Sequence, residues 1–206
     1  MNIYALMAVG CTLNWMASNA TLRVGIVGAS GYTGAELMRL IANHPNMSLT
    51  VATGDTQAGT SIRSLYPSLA SDFGEMVYST YDPSDFLGLD AVFLGLPHMA
   101  SQPVVGDLFK EVGCILDLGS DFRLKDPALY PQWYGAEHTM PELLNEFVYG
   151  LPELYRKDLK GARAIAVPGC YPTSASLALS PFVRSKKIET TGVIVDAASG
   201  VSGAGR

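Results

Sequence analysis

The apolar positions of this chain fall into short continuous runs. Leu22 to Ala29 (LRVGIVGA), Ser48 to Thr53 (SLTVAT), Asp90 to Leu96 (DAVFLGL), Gly113 to Leu118 (GCILDL) and Ala164 to Val167 each read as a buried strand. Between them the spacing turns helical. Ala35 to Asn43 carries it through Leu37, Leu40 and Ile41, Gln102 to Val112 reads as a helix, and Thr173 with Leu177 opens another that ends near Ser185. Strand alternating with helix predicts an α/β fold, a doubly wound and mostly parallel sheet of the Rossmann type. Residues 56–75 and 125–162 read as loops and turns, with one short helix at Pro141 to Phe147. Ile188 to Ala198 reads as a further strand that opens a new unit, and Ser199 to Arg206 as a flexible glycine-rich loop. A strand just completed, with nothing after it to pair or cover it, makes the chain look cut short. The expected organisation is an extension over 1–21, a dinucleotide-binding domain over 22–170, and the start of a truncated catalytic domain over 171–206.

Composition narrows the partners. Hydrophobic residues make up 48% of the 206 and charged residues 16%, which fits a well-buried globular chain. With a net charge of −5 and no basic patch among 14 Lys and Arg, neither nucleic acid nor an anionic membrane is an expected partner. The three cysteines, Cys11, Cys114 and Cys170, are odd in number and far apart. That pattern suits neither a disulfide framework nor a zinc site, so no metal is expected and the compartment reads as reducing. Residues 1–15 are apolar but lack the basic start of a secretory signal, and are too short and interrupted for a membrane span.

The first chemical signal is Gly28-Ala29-Ser30-Gly31-Tyr32-Thr33-Gly34, between the first strand and the first helix. A glycine-rich turn there places a pyrophosphate against free amides at a helix N-terminus. Gly28 permits the tight turn, Gly31 lets phosphate approach the backbone, and Gly34 allows close helix packing. The spacing is GxxGxxG, not GxGxxG, and glycines needed only for strand–helix packing would look the same. The second strand runs out through Ala52, Thr53 and Gly54, with Asp55 beyond. Small and hydroxyl residues where an acidic ribose ligand often stands favour NADP over NAD.

The second signal is Val167-Pro168-Gly169-Cys170-Tyr171-Pro172-Thr173. It sets Cys170 at a strand-to-helix turn, beside a helix N-terminus that favours an anion such as a thiolate. A cysteine packed as a small hydrophobe is the competing reading. His98, after Leu96-Pro97, could contact a cofactor or be an exposed loop histidine. Arg123 could hold an anionic substrate group or pair with Asp121 or Asp126.

Five segments in order carry a resemblance: Gly28 to Gly34, Leu96-Pro97-His98, Ser120-Asp121-Phe122-Arg123-Leu124, Pro168 to Thr173, and Ser199-Gly200-Val201-Ser202-Gly203-Ala204-Gly205-Arg206. From about Leu22 to Arg206 the sequence strongly resembles the N-acetyl-gamma-glutamyl-phosphate reductases, NADPH-dependent enzymes of arginine biosynthesis. The resemblance implies that Cys170 attacks an acyl phosphate to form a thioester, which hydride from NADPH then reduces to the semialdehyde. It implies cofactor contacts from Gly28, Ser30, Gly31, Tyr32, Thr33, Gly34, Thr53, Pro97, Ser199 and Gly200, and substrate contacts from Arg123, Tyr171, Ser202 and Gly203. It also implies a homo-oligomer in the full-length form, working in the cytoplasm or, in a plant or alga, the plastid. The family's acid–base histidine lies in a His-Arg-His-x-Pro-Glu segment downstream of this chain, so its role passes to none of His44, His98 and His138. Two alternatives stand beside this reading. One is a non-catalytic NADP-binding truncated product, and the other is a relative of aspartate-semialdehyde dehydrogenase, whose phosphate turn shares the GxxGxxG spacing.

Overall fold

Six strands form one sheet in this computed structural model, which describes residues 21–205. They are β1 (Leu22–Val27), β2 (Met47–Ala52), β3 (Ala91–Leu94), β4 (Ile115–Asp117), β5 (Val148–Tyr149) and β6 (Ala164–Ala166). The order across the sheet is β2-β1-β3-β4-β6-β5, and every ladder is parallel. The chain passes from β1 to one neighbour, β2, and then crosses back to β3 on the other side. That reversal opens a crevice at the C-terminal ends of β1 and β3, where ligands bind in open parallel sheets.

Both faces of the sheet are covered, which explains why its strands read as continuous apolar runs. In β3, Ala91 and Phe93 join one core cluster while Val92 and Leu94 join the other. The same alternation sends Ile165 to the first cluster and Ala164 and Ala166 to the second. Helix α1 (Tyr32–Ala42) covers the first face with Leu37, Met38 and Ile41. The short helices α2 (Ile62–Leu65) and α3 (Ala70–Phe73) add Ile62 and Phe73 to that face. Helix α4 (Ser101–Leu108) closes the opposite face with Val104, Val105 and Leu108. Phe86 packs there so tightly over Gly25 that a Cβ on Gly25 would come within 2.7 Å of its ring. Cys114 is a buried core residue, 1% exposed.

Segments that look loop-like in sequence are more ordered than their composition suggests. Residues 56–75 contain α2 and α3, and residues 125–162 contain α5 (Tyr130–Tyr134), β5 and α6 (Pro152–Leu159). Neighbouring elements supply the order: β5 exists only through its ladder with β6, and Lys125 Nζ crosses to the carbonyls of Leu144 and Phe147. Pro141–Glu146 forms a 3-10 helix, and α4 ends at Leu108, short of Val112. The strand expected over Ile188 to Ala198 does not form. A strand is defined by a pairing partner, and no described strand offers one to this segment. The long helix α7 (Cys170–Arg184) leads into it.

Among the described residues no helix is long and apolar enough to cross a membrane, and no group of three His, Cys, Asp or Glu could hold a metal ion. The apolar stretch 1–15, and the extension through residue 20, lie outside the described residues.

Candidate active site

In a parallel sheet all strands end on one edge, so the turns after β1, β3, β4 and β6 are neighbours. The turn after β1 is built by glycine at two places. Gly28 has φ +84°, and a Cβ there would sit 2.5 Å from the carbonyl oxygen of Gly95, at the end of β3. Gly34 lies in the first turn of α1, where a Cβ would run into the main chain of Ala29. Both glycines are therefore demanded by the fold itself. Gly31 is different. It caps α1 with φ −79° and ψ 172°, ordinary extended values, and a Cβ would meet only the Gly28 oxygen at 3.8 Å. No side chain caps the first amides of α1. The chain leaves open space and unsatisfied donors at the one position whose glycine its own packing does not require.

Around this turn the second strand acts as a brace. Thr53, 3% exposed, accepts the Gly28 N–H through Oγ1 at 3.3 Å and the Ala29 N–H through its carbonyl at 2.7 Å. Ser30 Oγ donates to Gly54 O at 3.4 Å, and Tyr66 Oη donates to Ser30 O at 2.8 Å. Thr53 thus supports the turn from behind, while the Tyr32 and Thr33 side chains stand exposed at its mouth. Asp55 follows with its side chain exposed and φ 36°.

The loops after β3 and β4 are knitted by buried polar groups. Asp121 accepts from the backbone amides of Met99 at 2.7 Å and Ser101 at 2.9 Å, which caps α4 from a distance. Asp117 accepts from Ser101 Oγ at 2.8 Å and from the Gly119 amide at 2.9 Å, while its Oδ2 has no hydrogen-bond partner. Burial raises the Asp117 carboxyl to about 6. His138 is also buried: its Nε2 donates to Asp121 O at 2.8 Å and its Nδ1 accepts the Met140 amide at 3.1 Å, and desolvation pushes it below the ordinary histidine value.

The last turn carries the thiol. Cys170 is exposed at the first position of α7, whose N-cap, Gly169, offers no side chain to the helix amides. Thr173 ties the turn shut, donating both N–H and Oγ1 to the Gly169 carbonyl at 3.0 and 2.8 Å. Arg123 braces it from below: Nε donates to Val167 O at 2.8 Å and Nη2 to Leu118 O at 2.9 Å. Cys170 is thus an accessible thiol at the N-terminus of a 15-residue helix whose first amides no side chain caps, and those amides can receive an anion delivered to the turn.

Residues 23–162 match the family model described as semialdehyde dehydrogenase, NAD binding domain, and residues 170–206 match the one described as semialdehyde dehydrogenase, dimerisation domain. The chain belongs to the semialdehyde dehydrogenase family. Its curated relatives include an N-acetyl-gamma-glutamyl-phosphate reductase of Symbiobacterium thermophilum, 46% identical over 186 residues, which are 90% of this chain and 53% of that protein. A probable N-acetyl-gamma-glutamyl-phosphate reductase, chloroplastic, of Arabidopsis thaliana is 47% identical over 185 residues, 90% of this chain and 46% of that protein. The chain spans about half the length of the curated relatives it matches. Among solved structures, aspartate semialdehyde dehydrogenase with NADP from Candida albicans superposes with a TM-score of 0.55 at 17% identity, covering 81% of this chain and 48% of that one. That likeness concerns the fold.

Within this semialdehyde dehydrogenase framework, the residues singled out by sequence do not all come together. Gly28, Ser30, Gly31, Tyr32, Thr33 and Gly34 form one turn, Pro97 is exposed on the loop after neighbouring β3, and Cys170 with exposed Tyr171 lies beyond β4 at the end of β6. Arg123 is at the site but makes neither proposed ion pair, because main-chain carbonyls occupy its Nε and Nη2. Ser199, Gly200, Ser202 and Gly203 do not join the others. They are exposed in and beside a 3-10 helix (Val201–Ala204) whose hydrogen bonds are local. The bracing roles of Thr53, Asp117, Ser120 and Asp121 escape sequence reading, although the unusual density of polar residues after an apolar strand, DLGSDFR, marks the place.

Proposed function

We propose that this chain carries the cofactor domain and nucleophilic turn of an NADPH-dependent reductase. Its substrate is N-acetyl-gamma-glutamyl phosphate, and its products are N-acetylglutamate 5-semialdehyde and phosphate. One observation carries the reading: the open, uncapped Gly31 turn of α1 and the exposed Cys170 on uncapped α7 lie along the same edge of one parallel sheet. The choice of substrate follows the names of the relatives, and it favours this reaction over aspartate-semialdehyde chemistry, to which the chain is tied by fold alone.

The residues fit a dinucleotide. Gly31 is the cradle that a side chain would fill, and the first amides of α1 would take the pyrophosphate, with Ser30, Tyr32 and Thr33 around it. Bound there, NADPH supplies a hydride to the substrate carbon. The chain's own chemistry begins at Cys170. Its thiolate attacks the acyl carbonyl, a C–S bond forms, and the bond to the phosphate oxygen breaks with its electron pair leaving on phosphate. The amides at the start of α7 stabilise the oxyanion that develops and the departing phosphate. After reduction the C–S bond breaks, releasing aldehyde and restoring the thiolate. Arg123 and Thr173 keep the turn in place throughout. The match of residues 170–206 to a dimerisation domain supports a homo-oligomer. The cytoplasm, or the plastid in a plant, is the compartment of this reading.

Acyl transfer needs no reductant, which makes it the direct test. Incubated with N-acetyl-gamma-glutamyl phosphate, the chain should gain the mass of one N-acetylglutamyl group at Cys170, and the Cys170→Ser variant should gain none. Absence of any adduct from a folded wild-type chain would sink the proposal.

A further inference from the structure

We propose that His98 is a dinucleotide-contacting residue, whose Nε2 hydrogen-bonds a ribose hydroxyl on the nicotinamide side of the cofactor. This rests on the dinucleotide reading above and deepens it. Pro97-His98-Met99 leaves the end of β3, beside the phosphate turn, where Gly28 and Gly95 nearly touch. The backbone of this loop is held in an unusual shape. Met99 has φ +65°, a conformation that L side chains rarely adopt. Fully buried Asp121 holds it there by accepting the Met99 and Ser101 amides.

The histidine ring is fixed as well. His98 Nδ1 lies 2.7 Å from the hydroxyl of Ser120, which is fully buried and itself 3.3 Å from Asp121 Oδ1. The Tyr134 ring stands 6.0 Å from the imidazole. Nε2 has no partner among the described residues, and the side chain is exposed. Capping α4 accounts for Asp121, but nothing in that role requires a buried hydroxyl aimed at an exposed imidazole. A ring so fixed is prepared to meet something outside the chain.

Strand order says what that is. The pyrophosphate turn ends β1, Cys170 follows β6, and the order across the sheet is β1-β3-β4-β6. At about 4.8 Å per strand, a ligand reaching from one to the other crosses about 14 Å and passes over the β3 loop. The part of a dinucleotide between its pyrophosphate and its reacting ring is a ribose, and its hydroxyls are the groups that an imidazole nitrogen can bind.

The test is binding to the 206-residue chain, with NADPH and adenosine 2′,5′-bisphosphate as probes. The second probe ends at its first phosphate and has no second ribose. His98→Ala should weaken NADPH about tenfold, the size of one lost hydrogen bond, and leave the bisphosphate within about twofold. His98→Gln should recover part of the loss, and Ser120→Ala should show part of it, with thermal melting to verify that each variant is folded. Equal NADPH affinity in wild type and His98→Ala would overturn the proposal and leave the dinucleotide reading intact. Equal losses for both probes would also overturn it, marking damage to the phosphate turn. Failure of the wild-type chain to bind either probe would overturn the dinucleotide reading and this assignment with it.

Discussion

Arg123 donates its Nε–H to the carbonyl oxygen of Val167 at 2.8 Å, directly beneath the turn that presents Cys170. Its Nη2 reaches Leu118 O at 2.9 Å, so one guanidinium pins the ends of adjacent strands β4 and β6. Pro168 follows Val167 and has no N–H, and a planar two-edged donor suits this pair of carbonyls better than a point charge. Arg123→Ala should lower stability by about 2 kcal/mol in urea denaturation and speed amide exchange at Cys170, Tyr171 and Thr173. Arg123→Lys should recover less than half of that loss. Unchanged exchange in Arg123→Ala would remove the bracing role.

Gly31 and Gly34 should part company on mutation. Gly34→Ala forces a Cβ into the Ala29 main chain and should destabilise by about 2–3 kcal/mol or prevent folding. Gly31→Ala meets only a contact at 3.8 Å and should leave stability within about 1 kcal/mol, yet weaken NADPH by tenfold or more. Chemical denaturation beside a fluorescence titration checks both, and Gly31→Ala with undiminished NADPH affinity would refute the cradle.

Asp55, exposed just past β2, is the acidic group at the place where the adenosine ribose would lie. Its charge opposes a 2′-phosphate, so Asp55→Asn should raise the preference for NADPH over NADH by about threefold to tenfold. The ratio of dissociation constants reads this directly, and a ratio that falls would show that Asp55 serves the phosphate some other way.

Two buried groups should bend the pH–stability profile in opposite directions. The Asp117 carboxyl titrates at about 6 in the native chain and near 3.9 when unfolded, so between those values the native state holds more protons. Stability should fall by roughly 2–3 kcal/mol as pH rises through that window, and Asp117→Asn should abolish the fall. His138 runs the other way. Its native value is lowered by burial, so stability should be complete above about 6.5 and decline as pH drops below it. His138→Gln should flatten that decline. Urea midpoints for the two variants between pH 4 and 8 separate the contributions.

The sequence by itself determined five of the six strands and the two reactive turns. Continuous apolar runs can be satisfied only by burial on both faces, and glycine or cysteine at a strand–helix junction is a local feature that needs no knowledge of the rest. Gly28 to Gly34 and Pro168 to Thr173 were legible for that reason. Only the tertiary structure decided what lies behind them. Thr53 contacts Gly28 across 25 positions, Arg123 contacts Val167 across 44, and His98 meets Ser120 across 22. No periodicity records such pairings, because they arise when parallel strands bring distant loops to one edge. The same physics explains the misread segments. Val148–Tyr149 is a strand because β6 stands beside it, while Ile188 to Ala198, despite its Val193-Ile194-Val195 run, is none among the described residues because no neighbour pairs with it.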